Sequence, residues 1–138
     1  MALGDLIVED RGKVTSERVL DGAAPKLETS FTMEGNYRGI PCREVGTFTT
    51  VIRDGAVMYG EGQGIVMAKD GQGMVTWTGQ GIGKSTSPGK VQFHGSIFFR
   101  TPPSSNEGKL LYLNNMVGVF EYEGDEIGNC SSKVWEWK

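Results

Sequence analysis

Two glycine runs constrain this chain more than any other feature. Gly60, Gly62 and Gly64 stand in Tyr-Gly-Glu-Gly-Gln-Gly, and Gly79, Gly81 and Gly83 in Trp-Thr-Gly-Gln-Gly-Ile-Gly. Side chains alternate faces along a strand with period two, so the three glycines of each run share one face of an extended segment. A stripe without side chains suits backbones that approach closely or a sheet that bends sharply. The spacing therefore points to a closed, strongly curved β-sheet.

Strand and turn signals recur along the rest of the chain, and no stretch sustains an apolar pattern at i, i+3, i+4, i+7. The pattern predicts strands over 12–20, 27–37, 46–53, 56–68, 73–83, 90–100, 109–123 and 133–138. Asp54-Gly55 and Asp70-Gly71 read as tight type I′ hairpins, because both central residues of that turn take positive φ. The stretch 101–108, rich in Pro and Ser, reads as a connection between strands. The expected fold is all-β: a single closed antiparallel β-barrel of about eight strands in meander topology, one domain over 1–138. Closure removes the exposed edges that promote aggregation.

Parity then assigns the two faces. Val75, Trp77, Phe93, Ile97 and Phe99 share the glycine face, which is read as the barrel interior. Large rings fill the space that the glycines leave. Tyr59, Glu61, Gln63, Thr78, Gln80 and His94 are expected to point outward.

Composition excludes several classes of function. Gly is 21 of 138 residues, but three Trp, six Phe and four Tyr at regular spacing argue against disorder. The net charge is −3 and no basic stripe is present, so nucleic acid is not an expected partner. Residues 1–10 show no basic n-region and only a short apolar run, and no segment reaches the ~20 apolar residues of a spanning helix. A cytoplasmic location without membrane contact is expected. Cys42 and Cys130 read as reduced thiols in that compartment. With His94 as the single histidine, the ligands are too few for a metal site, and no cofactor is expected. Gly79-Gln-Gly-Ile-Gly-Lys-Ser85 falls one residue short of P-loop spacing, and the turn residues after it cannot open a helix.

The residues left to carry chemistry are few. Glu121 and Glu123 share a strand face and would supply paired carboxylates for acid–base work. Asn114 and Asn115 lead into the apolar run 116–120, where a buried amide must find hydrogen bonds. At a barrel mouth, Glu121 and Asn115 are the catalytic candidates. Asn114, Asn115, Trp77 and Phe93 are the ligand-binding candidates. Tyr59, Glu61 and His94 read as interface residues on the outer face, joined there by Met67, Phe98 and Tyr112. Exposed aromatic groups among Thr and Gln typify association surfaces, so a homo-oligomer, trimer or dimer, is expected. Trp135 and Trp137 share one face of a closing C-terminal strand.

The combination of Tyr59-Gly-Glu-Gly-Gln-Gly64, Trp77-Thr-Gly-Gln-Gly-Ile-Gly83, Phe93-His-Gly95 and Gly118-Val-Phe-Glu121 resembles small bacterial and archaeal proteins of unassigned function. Their fold relatives are the allene oxide cyclase-like barrels. The resemblance spans roughly 12–138 and implies an eight-stranded, calycin-like barrel that forms homo-oligomers. In the plant cyclase, a cavity of this kind binds a strained fatty-acid epoxide beside a water and a carboxylate. With no nucleophile–base pair, metal set or phosphate loop in view, two functions remain. One is a non-catalytic barrel, structural or binding a small apolar ligand. The other is an isomerase or cyclase acting on an apolar substrate inside the barrel.

Overall fold

The computed structural model describes residues 3–103 and 108–138. Residues 104–107, within the connection expected over 101–108, lie outside the described residues. Eight antiparallel strands follow one another around a closed barrel: β1 (Leu3–Asp21), β2 (Lys26–Tyr37), β3 (Ile40–Ile52), β4 (Met58–Ala68), β5 (Met74–Ser87), β6 (Lys90–Arg100), β7 (Val117–Asp125) and β8 (Asn129–Trp137). Pairing of β1 with β8, from Leu3 opposite Trp137 to Lys13 opposite Asn129, seals the sheet. Among the described residues no helix is long and apolar enough to cross a membrane.

The glycine face is the interior. Gly60 stands opposite Gly81, and Gly62 opposite Gly79, across the β4–β5 pair. Rings fill the vacated space as the spacing requires. A Cβ on Gly83 would lie 2.5 Å from the Phe93 ring, and one on Gly64 would overlap the Trp77 indole. Phe93 and Phe99 are buried, Trp77 is half-buried, and Glu61, Gln63 and Gln80 are exposed on the outer face.

Several local expectations need correction, among them the start of β3 at Ile40 rather than 46. β1 begins at Leu3, well before 12, because Leu6 and Val8 find ladder partners in Trp135 and Val134 of β8, a pairing invisible to a local pattern. β8 likewise begins at Asn129 rather than 133. The strand expected from 109 starts only at Val117. Leu111–Leu113 forms a 3-10 turn instead, in which the Leu113 and Asn114 N–H groups donate to the carbonyls of Leu110 and Leu111 at 3.0 Å each. Leu110 and Leu113 stand three apart, share one side of that turn and are fully buried, closing one end of the barrel. Tyr112, expected on the outer face, lies over that end and donates to the Tyr37 carbonyl at 2.7 Å.

The Asp-Gly pairs do mark hairpins, but wider ones than type I′. Between β3 and β4 the positive φ values fall on Gly55 (73°) and Ala56 (61°), and the Arg53 N–H donates to the Val57 carbonyl at 2.6 Å. Between β4 and β5 the Ala68 N–H reaches the Gly73 carbonyl at 3.0 Å. There the Asp70 carboxylate accepts from the Gln72 N–H at 2.8 Å and pairs with Lys109 at 2.5 Å.

Candidate functional site: a buried carboxyl pair beside an aromatic cavity

Inward-facing positions of β1 run Val8, Asp10, Gly12, and those of β3 run Cys42, Glu44, Gly46. Each strand thus carries one acid on the core side, and β2 between them places Tyr37 at the same level. Asp10 and Glu44 are only 4% and 6% exposed. Burying one carboxylate is costly and burying two side by side far more so, which forces them to share a proton. Each carboxyl perturbs the other: the Asp10 charge adds to burial in raising Glu44, while Glu44 partly offsets the burial of Asp10.

The surrounding donors show where the remaining charge sits. Ser132 on β8 donates to Asp10 Oδ1 at 2.5 Å, and the Tyr37 hydroxyl donates to Oδ2 at 3.4 Å. With two hydroxyls donating to it, Asp10 is the better-stabilised anion of the two, and Glu44 is the acid that more readily keeps a proton. Burial raises both acids above their ordinary values, Glu44 strongly, because the Asp10 charge beside it adds to the effect. The Tyr37 hydroxyl is likewise pushed well up by burial and by the two acids. Trp77 Nε1 faces the Glu44 carboxyl from β5 without closing a well-formed hydrogen bond, and it has no other partner.

A cavity of about 80 Å³ opens beside this pair. Its walls are rings and bare glycine backbone. Phe31, Trp77, Phe93 and Tyr122 line it together with Gly62 and Gly81, and Glu44, Ser132, Glu61 and Gln80 bring polar groups to it. The rings pack edge-to-face around it: Phe48 meets Tyr122 at 5.4 Å and 71°, and Phe93 at 5.8 Å and 63°. Such geometry holds the walls rigid through complementary quadrupoles. Both thiols are free and buried near this interior, where burial pushes Cys42 up to about 11 and also raises Cys130. Among the described residues no group of three or more His, Cys, Asp or Glu could hold a metal ion.

The residues anticipated from sequence divide between inside and outside. Trp77 and Phe93 line the cavity. Glu121 lies on the outer face of β7, in register between His94 of β6 and Lys133 of β8. Asn114 and Asn115 precede β7 and are exposed. The Asn114 side-chain oxygen accepts from the Thr101 N–H at 3.0 Å, and Asn115 takes a left-handed φ of 63°. None of these three lines the cavity. Tyr59 and Glu61 sit together on the outer face. The Tyr59 hydroxyl is 2.8 Å from Gln80 Oε1 and 3.0 Å from Glu61 Oε2, and the Arg53 guanidinium covers the ring at 4.1 Å. His94 is exposed.

Asp10 and Glu44 were missed because both fall outside the strands read at 12–20 and 46–53. Continuing the parity of each strand toward the N-terminus would have found them. Val8-x-Asp10-x-Gly12 and Cys42-x-Glu44-x-Gly46 each place an acid among core positions.

No protein-family model matches the sequence, and comparison with curated proteins finds no match. Solved structures do match. A conserved protein of unknown function from Rhodopseudomonas palustris is 14% identical with a TM-score of 0.74, the match covering 99% of this chain and 98% of that one. A protein of unknown function from Clostridium acetobutylicum is 11% identical with a TM-score of 0.76, over 96% of each chain. These likenesses show a shared barrel fold.

Proposed function

We propose that this protein is an allene oxide cyclase-like, calycin-like barrel that binds a small, largely apolar ligand in its interior. The observation that carries this reading is the aromatic-walled cavity of about 80 Å³ inside a closed sheet. An apolar cavity of about 150 Å³ accepts benzene or xenon, so this one suits a guest of a few heavy atoms. Xenon is the direct probe. NMR of xenon dissolved with the protein is expected to report one saturable site per chain. Absence of any bound xenon would leave a packed, purely structural barrel.

A second reading, an isomerase or cyclase, draws on the carboxyl pair. A buried acid on an apolar wall, Glu44, with a second acid, Asp10, behind it are components of proton transfer to and from an apolar substrate. In that reading Asp10 would accept the proton and Glu44 supply it, in place of Glu121.

Self-association is part of the proposal. Val45 and Ile65 are cross-strand partners exposed on the outer face of β3 and β4, and Phe98 on β6 is 52% exposed. Apolar groups of this size on a sheet exterior favour a partner surface of the same kind. Sedimentation of the protein at low micromolar concentration is expected to give a dimer or trimer, in a cytoplasmic protein. A Val45→Lys and Ile65→Lys double change is expected to shift it to monomer.

A further inference from the structure

The interior holds one feature that simple apolar binding leaves unused: two buried acids with no counter-cation among the described residues. Asp10 and Glu44 take part in none of the ion pairs among the described residues, all of which lie toward the outside. Buried charges in proteins are ordinarily paired or coordinate a ligand. Two hydroxyl donors, from Ser132 and Tyr37, orient the Asp10 carboxyl but bring no positive charge. The pair is therefore left with hydroxyl partners and no positive one among the described residues. Around the pair the cavity presents the rings of Phe31, Trp77, Phe93 and Tyr122. Ring faces attract organic cations, and more strongly when water is excluded.

We propose that the cavity is a site for a small organic ammonium, its charged nitrogen against the Glu44 carboxyl, which brings the buried pair to the cavity wall, and its short alkyl body against the aromatic walls. The inference rests on the interior being a ligand site, as proposed above, and specifies the chemical class of the ligand. The cavity limits the alkyl body to a few carbons. A cation there would donate hydrogen bonds to the carboxyl oxygens and supply the missing counter-charge. Its attraction to the pair works in a low-dielectric site, where an unscreened charge counts for far more than at the surface.

Calorimetric titration with ethylammonium chloride tests this directly, with xenon as the uncharged probe of the same space. One ethylammonium is expected to bind per chain. In the Asp10→Asn, Glu44→Gln double variant, which keeps both shapes and removes both ionisable groups, affinity is expected to fall by about tenfold or more while xenon still binds. Equal ethylammonium affinity in that variant would place the cation on the acidic surface and overturn the proposal. Xenon binding without ethylammonium binding would also overturn it, yet leave the apolar-ligand reading standing. Failure of both probes would remove that reading as well. Should the double variant not fold, a methyl-to-hexyl ammonium series on the unaltered protein decides the matter. Affinity peaking at two to three carbons supports the cavity site, and affinity that rises steadily with length rejects it.

Discussion

Gly95→Val is expected to yield no folded protein at 37 °C, or one destabilised by more than about 4 kcal/mol in urea denaturation. Gly95 stands directly opposite Gly81 across the β5–β6 pair. A Cβ at this position would overlap the Gln80 carbonyl oxygen and sit 2.5 Å from the Gly81 Cα. Both obstacles are backbone, so no side-chain rotation relieves the contact, and the β5–β6 ladder must separate. Overpacking a core usually costs 1–3 kcal/mol because side chains adjust, an escape missing here. With total stability of a domain near 5–15 kcal/mol, the loss is a large share of the whole. Gly22→Ala is the matched control. Nothing lies within 4 Å of a Cβ there, so its effect is expected within about 0.5 kcal/mol. Equal behaviour of the two variants would refute a steric role for the interior glycines.

Glu44→Gln is expected to gain stability on the unaltered protein by up to about 1.4 kcal/mol for each pH unit above the ordinary carboxylate value, because glutamine stays uncharged without holding a proton. The glutamine amide can donate to Asp10 as the Glu44 hydroxyl does, so the local geometry survives. The sign follows from proton binding. Burial and the Asp10 charge raise Glu44 well above its ordinary value in the folded state, and Asp10 is raised too. Above the ordinary carboxylate range the folded protein therefore holds a proton that the unfolded chain has released. Stability of the unaltered protein then falls as pH rises from that range toward the folded-state value of Glu44. Below the unfolded value, near 4, both states are protonated and the penalty is absent. Urea denaturation at pH 5 and pH 8 is expected to show a variant that gains progressively with pH. Parallel stability curves for the two proteins would contradict proton sharing at the pair.

The barrel was legible because its evidence is local. Glycines two apart, rings on the same parity and Asp-Gly at strand ends each report on a few neighbouring residues, and a strand's faces follow from its own alternation. That sufficed for the strand count, for the inward glycine face and for the placing of Trp77 and Phe93 on it. The same locality explains where the reading faltered at the margins. Leu3 to Asp10 becomes a strand only because β8 is there to pair with it. Leu110 to Leu113 turns instead of extending because the barrel end offers a core for two leucines three apart.

Sequence by itself determined that the chain closes into a glycine-lined, ring-filled barrel, and which side chains on its regular strands face inward. Only the tertiary structure decided that the interior carries two buried acids. Asp10, Tyr37, Glu44, Trp77 and Ser132 sit on five strands, and what matters about them is their shared height in the barrel. That height depends on register between β1, β2, β3, β5 and β8, including the bulges that shift β1 against its neighbours. A proton shared between two acids is a property of distance and exclusion of water, and neither exists until the sheet has closed.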